Sequence, residues 1–209
     1  MAPRALIFDL DGTLIDTERH NLRAWTEAGR RLGFNLELDF YRTLIGRRAE
    51  DTDARLRQHF GADCPVAEWR SLRRQLFYAW WDEGQGPGWK PGLEQLLQRL
   101  QLPRVVATSS LEVEARDKIR RSSLEPHFPE LVAGDQVEKG KPAPDLFLRA
   151  AELLKTPPRH CLVVEDSPLG MEAAEAAGMS AVFIEDLVPP RPGYRVLIHL
   201  GQLSEVWLR

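Results

Sequence analysis

The chain has 209 residues, 43% hydrophobic and 28% charged, with a formal net charge of -3 and a pI near 6.0. That length allows one domain, or one domain carrying a smaller insertion, with a real core. The mild acidity gives no broad nucleic-acid footprint, and no stretch approaches the roughly 20 apolar residues of a membrane span. The apolar run at the N-terminus is too short for a secretory h-region and lacks a cleavage site. Cys64 and Cys161 stand in no metal-ligand spacing, and neither Cys nor His clusters, which argues against zinc and for a reducing, cytoplasmic setting.

Short apolar runs bounded by turn residues alternate with helical patterns, which predicts an α/β fold with a parallel sheet. The first run is Arg4 to Phe8, interrupted at once by Asp9 and Asp11. Residues 17–87 then read as helical, with patterns at Leu22–Ala28 and Trp69–Trp81 and no convincing strand. Gly84-Gln85-Gly86-Pro87-Gly88 breaks that pattern like a linker. Residues 17–87 are therefore read as a helical insertion into a sheet domain formed by 1–16 and 88–209. Further strands are expected at Arg104–Ala107, Leu131–Ala133, Cys161–Val164, Ala181–Ile184 and Val196–Ile198. Trp69, Trp80 and Trp81 read as core. Arg55, Arg57, Arg70, Arg73 and Arg74 alternate with acids and polar residues and read as a solvated face.

Ligands of open α/β sheets bind outside the carboxyl ends of the strands. Asp9 and Asp11 follow the first strand, Thr108 and Ser109 the second, Glu165 and Asp166 the fourth. Four carboxylates on one edge need a neutralising cation, and an oxygen-only ligand set favours a hard ion such as Mg²⁺. Asp-Gly is also a common turn, so Asp11-Gly12 alone decides nothing. Lys141 lies between Gly140 and Pro142, where stiff backbone would aim it at a fixed point.

Asp9-Leu10-Asp11-Gly12-Thr13, Thr108-Ser109, Lys141-Pro142-Ala143-Pro144-Asp145 and Glu165-Asp166-Ser167 together resemble the four ordered motifs of the haloacid dehalogenase superfamily. The closest likeness is to its branch of β-phosphoglucomutases and small sugar-phosphate phosphatases. The resemblance implies a Rossmann-like core with a helical cap at 17–87. It implies Asp9 as nucleophile through an aspartyl phosphate and Asp11 as general acid/base. It implies Mg²⁺ held by the Asp9 carboxylate, the Asp11 backbone carbonyl and Asp166, with Glu165 supporting, and the phosphoryl group held by Thr108, Ser109 and Lys141. A carboxylate at Asp11 favours phosphate chemistry over dehalogenation.

The mutases carry a histidine at the start of the cap. Aligned on Arg23-Ala24-Trp25, Asn21 stands there and His20 falls one residue early, about 100° away around a helix. Arg47, in Gly46-Arg47-Arg48, is the cap candidate for phosphate binding, although shifted from the mutase position. These departures favour a phosphatase of small phosphorylated metabolites over a phosphosugar mutase. A binding protein without turnover is the reading of another class, and the intact acids argue against it. A monomer is expected, with no nucleic-acid or membrane partner.

Overall fold

The computed structural model of the chain describes residues 2–206. The apolar runs form β1 (Ala5–Phe8), β2 (Arg104–Ala107), β3 (Leu131–Val132), β4 (Cys161–Glu165), β5 (Ser180–Ile184) and β6 (Val196–Leu197). They make one sheet in the order β3-β2-β1-β4-β5-β6, with every pair parallel. β1 is central, Ile7 standing between Val105 and Val163. Apart from Arg104, Glu165 and Ser180 at strand ends, the strands are apolar because helices cover both faces. Leu6, Phe8, Val106 and Val164 pack on one side with α5 (Leu93–Arg99), α6 (Glu112–Arg121) and α9 (Gly201–Val206). Ala5, Ile7, Val105 and Val163 pack on the other with α7 (Asp145–Leu153) and α8 (Pro168–Ala176).

Between β1 and α5 the chain forms α1 (Thr17–Arg31), α2 (Leu38–Arg42), α3 (Ala49–Phe60) and α4 (Val66–Trp80), with a separate apolar cluster. Trp69 is its centre. Fully buried, it contacts the rings of Trp25, Phe34 and Phe60 and donates Nε1–H to Trp25 O at 2.9 Å. Trp80 and Trp81 pack against the cluster while partly exposed. Past α4 the chain continues through a π turn that Gly84 breaks at φ +79°, where the glycine-rich stretch is expected to interrupt the helical pattern. The two crossings between helical segment and sheet lie side by side. Asp16 N donates to Gly88 O and Lys90 N to Leu14 O, both at 2.9 Å. Beyond β5, Leu187 and Val188 pack against the helical cluster, and Arg42 Nε donates to Leu187 O at 2.9 Å. Among the described residues, no helix is long and apolar enough to cross a membrane.

Trp69→Ala should lower stability by about 3–5 kcal/mol through the cavity it leaves. Urea denaturation measures this, and a loss below about 1 kcal/mol would mean the indole is not the cluster's packed centre.

Candidate active site

The parallel register delivers three strand ends to one edge. Asp9 N donates to Val164 O at 3.0 Å, so the residue after β1 sits beside the end of β4. Lys141, only 2% exposed, donates from Nζ to Asp9 Oδ1 at 2.6 Å and also to Glu165 Oε1. Glu165 accepts from Ser167 N with its other oxygen at 2.6 Å. Asp166 Oδ1 accepts from Thr13 Oγ1 at 3.2 Å, whereas Oδ2 is buried with no partner. Ligand oxygens of Asp9, Glu165 and Asp166 lie within 4.8 Å of one another, and all three residues are buried.

This donor set fits a hard divalent cation, because it is all oxygen and keeps one buried oxygen bare. Glu165 braces Lys141 and the Ser167 amide with one hydrogen bond on each oxygen, which fixes its carboxylate beside Asp9 and Asp166. Burial raises the Asp9 carboxyl to about 7, against the opposing pull of Lys141. Burial and the charges of Glu165 and Asp9 raise Asp166 well above the usual range. A divalent cation among these groups would draw both downward.

Asp11 is turned elsewhere. Gly12, at φ +78°, bends the chain after it. The Asp11 carboxylate accepts from Thr17 Oγ1 at 2.7 Å, Ser110 Oγ at 2.8 Å, and Lys118 Nζ at 2.8 and 2.7 Å. Burial raises its pKa, but Lys118, Thr17 and Ser110 together outweigh that and leave it lowered. Asp11 therefore adds no side-chain oxygen to the acidic cluster, which leaves its backbone carbonyl as the group it could offer a metal.

A cavity of about 150 Å³ opens over these groups. Its core wall includes Asp9, Asp11, Thr108, Ser109 and Asp166. Its other wall comes from the helical segment and includes Glu18, Asn21, Trp25, Tyr41, Arg47 and Arg73. Thr108 is buried, and its Oγ1 accepts from Ser110 N at 3.1 Å. Ser109 Oγ donates to Gly46 O at 2.9 Å, tying β2 to the loop before α3. Arg47 lines the cavity with its Nε held by Thr43 O at 2.8 Å. Arg70 and Arg73, read as solvated, also line it. His20 does not lie on the cap surface. It is buried against Phe77, its Nε2 3.1 Å from Phe77 O, and is absent from the cavity wall.

Sequence reasoning missed Lys118, Ser110 and Glu18. Glu18 Oε2 accepts from Tyr41 OH at 2.6 Å. Burial, reinforced by the charge of Asp11, raises Glu18 to about 8.

The model of the haloacid dehalogenase-like hydrolase family matches residues 6–184, a span that takes in all four groups of strand-end residues. The chain is a member of that family. Protein CbbY of Rhodobacter capsulatus is 34% identical to this hydrolase over 194 residues, covering 87% of this chain and 85% of the relative. A phosphorylated carbohydrates phosphatase of Thermotoga maritima is 30% identical, covering 86% and 83%. A β-phosphoglucomutase of Bacillus subtilis is also 30% identical, covering 86% and 82%. The crystal structure of a CbbY variant from Rhodobacter sphaeroides, in complex with xylulose-(1,5)bisphosphate, superposes with a TM-score of 0.82 at 27% identity. That match covers 97% of the hydrolase and 96% of the CbbY chain.

With Glu18 raised from 4.5 to about 8, the folded hydrolase keeps a proton that the unfolded chain loses. The stability this supplies is full below pH 4.5 and is lost as pH rises toward 8. Glu18→Gln keeps an acceptor for Tyr41 and removes that slope. In chelator, its denaturation midpoint should match wild type at pH 5 and exceed it at pH 8.5. Parallel pH curves for the two proteins would show that Glu18 does not titrate in this range.

Proposed function

We propose that this hydrolase is a Mg²⁺-dependent phosphatase of small phosphorylated metabolites, sugar phosphates above all, acting in the cytoplasm through an aspartyl-phosphate intermediate. The observation that carries the reading is the buried Asp9 carboxylate at the cavity floor, set among Lys141, Glu165 and the bare Asp166 oxygen. The printed names of its phosphatase relatives, and the sugar bisphosphate bound to a CbbY variant, support the substrate class. Residues 17–87 act as a cap that closes the cavity against bulk water.

In the first half-reaction an Asp9 oxygen attacks phosphorus, the bond to the leaving oxygen breaks, and that oxygen takes a proton. In the second, water attacks the same phosphorus, Asp11 accepts the water's proton, and the Asp9 carboxylate is released with inorganic phosphate. Lys118 keeps Asp11 ionised, which suits the second half. The first proton then arrives with the substrate, since a phosphate monoester near its second pKa of about 6 carries one as the monoanion. Thr108, the Ser109 backbone and Lys141 hold the phosphoryl oxygens where charge accumulates. Mg²⁺, held by the carboxylates of Asp9 and Asp166 and the backbone carbonyl of Asp11, supplies charge neutralisation.

Asn21, not His20, stands on the cavity wall, and the His20 ring is enclosed by Phe77 and Trp80. Among the described residues, no histidine lines the cavity for phosphoryl exchange between sugar hydroxyls, which favours hydrolysis over mutase chemistry.

Phosphate release from a panel of sugar phosphates should require Mg²⁺, stop with chelator and fall at least about 10³-fold in Asp9→Asn. Release that persists in Asp9→Asn overturns the reading, as does conversion of a sugar 1-phosphate to its 6-phosphate without net release. Lys118→Met should lower kcat about 10- to 100-fold, because it removes the ammonium that holds both oxygens of Asp11; an unchanged kcat would show that Asp11 does not depend on it.

A further inference from the structure

The acidic layer continues past Asp166. Two residues after β5 ends at Ile184, the Asp186 side chain is 1% exposed. Neither of its oxygens accepts a hydrogen bond. Lys90 Nζ forms a long ion pair with Oδ1 at 3.4 Å and donates a hydrogen bond to Glu185 O at 3.1 Å. Only Gly12 separates Asp186 from the acidic cluster. A Cβ on Gly12 would stand 2.8 Å from Asp186 Oδ2 and would collide with Asp166 Oδ2. Asp166 Oδ2 is itself buried and bare, and so is Asp16 Oδ1 nearby in the chain. Two buried carboxylates thus turn unpartnered oxygens toward the same glycine. Such an arrangement repels itself unless a cation answers both.

We propose that Asp186 belongs to the cation site as an outer acid, adding its negative charge from the far side of Gly12, while Lys90 sets how much of that charge the ion feels. The inference rests on the divalent-cation reading given above. Mg²⁺ and similar ions keep much of their water when bound, so a carboxylate beyond the directly ligating oxygens still contributes attraction. A second account treats Asp186 and Lys90 as a buried pair that only pins the returning chain at Trp89–Lys90. The two accounts differ in sign. A purely structural pair loses cation affinity, if at all, in the same direction whichever partner is removed. An electrostatic pair shifts it in opposite directions.

Mn²⁺ serves as the probe, titrated against the full chain with the free ion followed by electron paramagnetic resonance. Asp186→Asn should weaken Mn²⁺ binding roughly five- to tenfold, and Lys90→Met should tighten it roughly two- to fivefold. Circular dichroism and a denaturation midpoint establish that each variant is folded. Wild-type affinity in a folded Asp186→Asn overturns the proposal, and so does weakening in both variants. Should Asp186→Asn fail to fold, Lys90→Met decides alone, since tightening supports the proposal and anything else overturns it. A wild-type chain that takes up no Mn²⁺ overturns this inference together with the divalent-cation reading. Uptake by the wild type with unresponsive variants overturns this inference only.

Discussion

Burying a carboxylate costs several kcal/mol unless a counter-charge or hydrogen bonds meet it, and the C-terminal edge of this sheet buries Asp9, Glu165 and Asp166 outright with Asp11 and Asp186 close behind. The chain has five lysines, and the three that are buried, Lys90, Lys118 and Lys141, all stand in this layer. Each is matched to particular acids. Lys141 joins Asp9 to Glu165, Lys118 holds both oxygens of Asp11, and Lys90 approaches Asp186. Asp166 alone is left with one hydroxyl hydrogen bond and no ammonium. Three internal ammonium groups thus face five internal carboxyls, and the shortfall falls where oxygen ligands converge. Lysine suits this task because its compact charge on a flexible stem reaches a point inside the layer.

That division gives the two acids after β1 different surroundings, although one residue separates them. Asp9 faces Lys141 and two further carboxylates, with burial as the dominant influence on its proton. Asp11 faces an ammonium and two hydroxyls, and its proton is held more loosely than usual. Pairs of carboxyls driven apart in this way are suited to different chemical duties. The separation originates in the turn at Gly12, since a residue with a side chain would neither adopt its backbone angle comfortably nor fit beside Asp166 and Asp186.

Much of this was legible in the sequence, for identifiable reasons. Strands covered on both faces show as unbroken apolar runs, so β1, β2, β4 and β5 were placed within a residue or so, and the acids after β1 and β4 followed. Lys118 was not found, because Glu112–Arg121 reads as alternating charge. The available signal was its position three residues after Ala115 and one before Ile119, on the buried stripe of α6. Asp186 follows a strand end as Asp166 does, and the same rule extended to β5 would have reached it. Arg70 and Arg73 look like their solvated neighbours in sequence, and only packing turns them to the cavity, Arg70 against Ala49 and Asp53 of α3 and Arg73 against α1. Arg73 lies over Trp25 at 5.4 Å and reaches Asn21 at 3.5 Å.

The cavity divides its labour between two parts of the chain. Its floor, made by strand ends, carries the groups suited to phosphorus chemistry. Its roof, made by α1, α4 and the loop before α3, carries Asn21, Trp25, Arg47 and Arg73, which would meet the rest of a substrate. The roof is located by backbone more than by side chains. Gly46 takes a φ of +80°, its carbonyl accepts from Ser109 after β2, and a Cβ there would stand 2.6 Å from Ser167 Oγ after β4. One loop thus rests on two strand ends that flank the nucleophile. The side chains of α1 and α4 can change with the substrate while that contact keeps the roof in register with Asp9. A substitution at Gly46 would disturb every substrate alike, whereas one at Asn21 or Arg73 would discriminate among them.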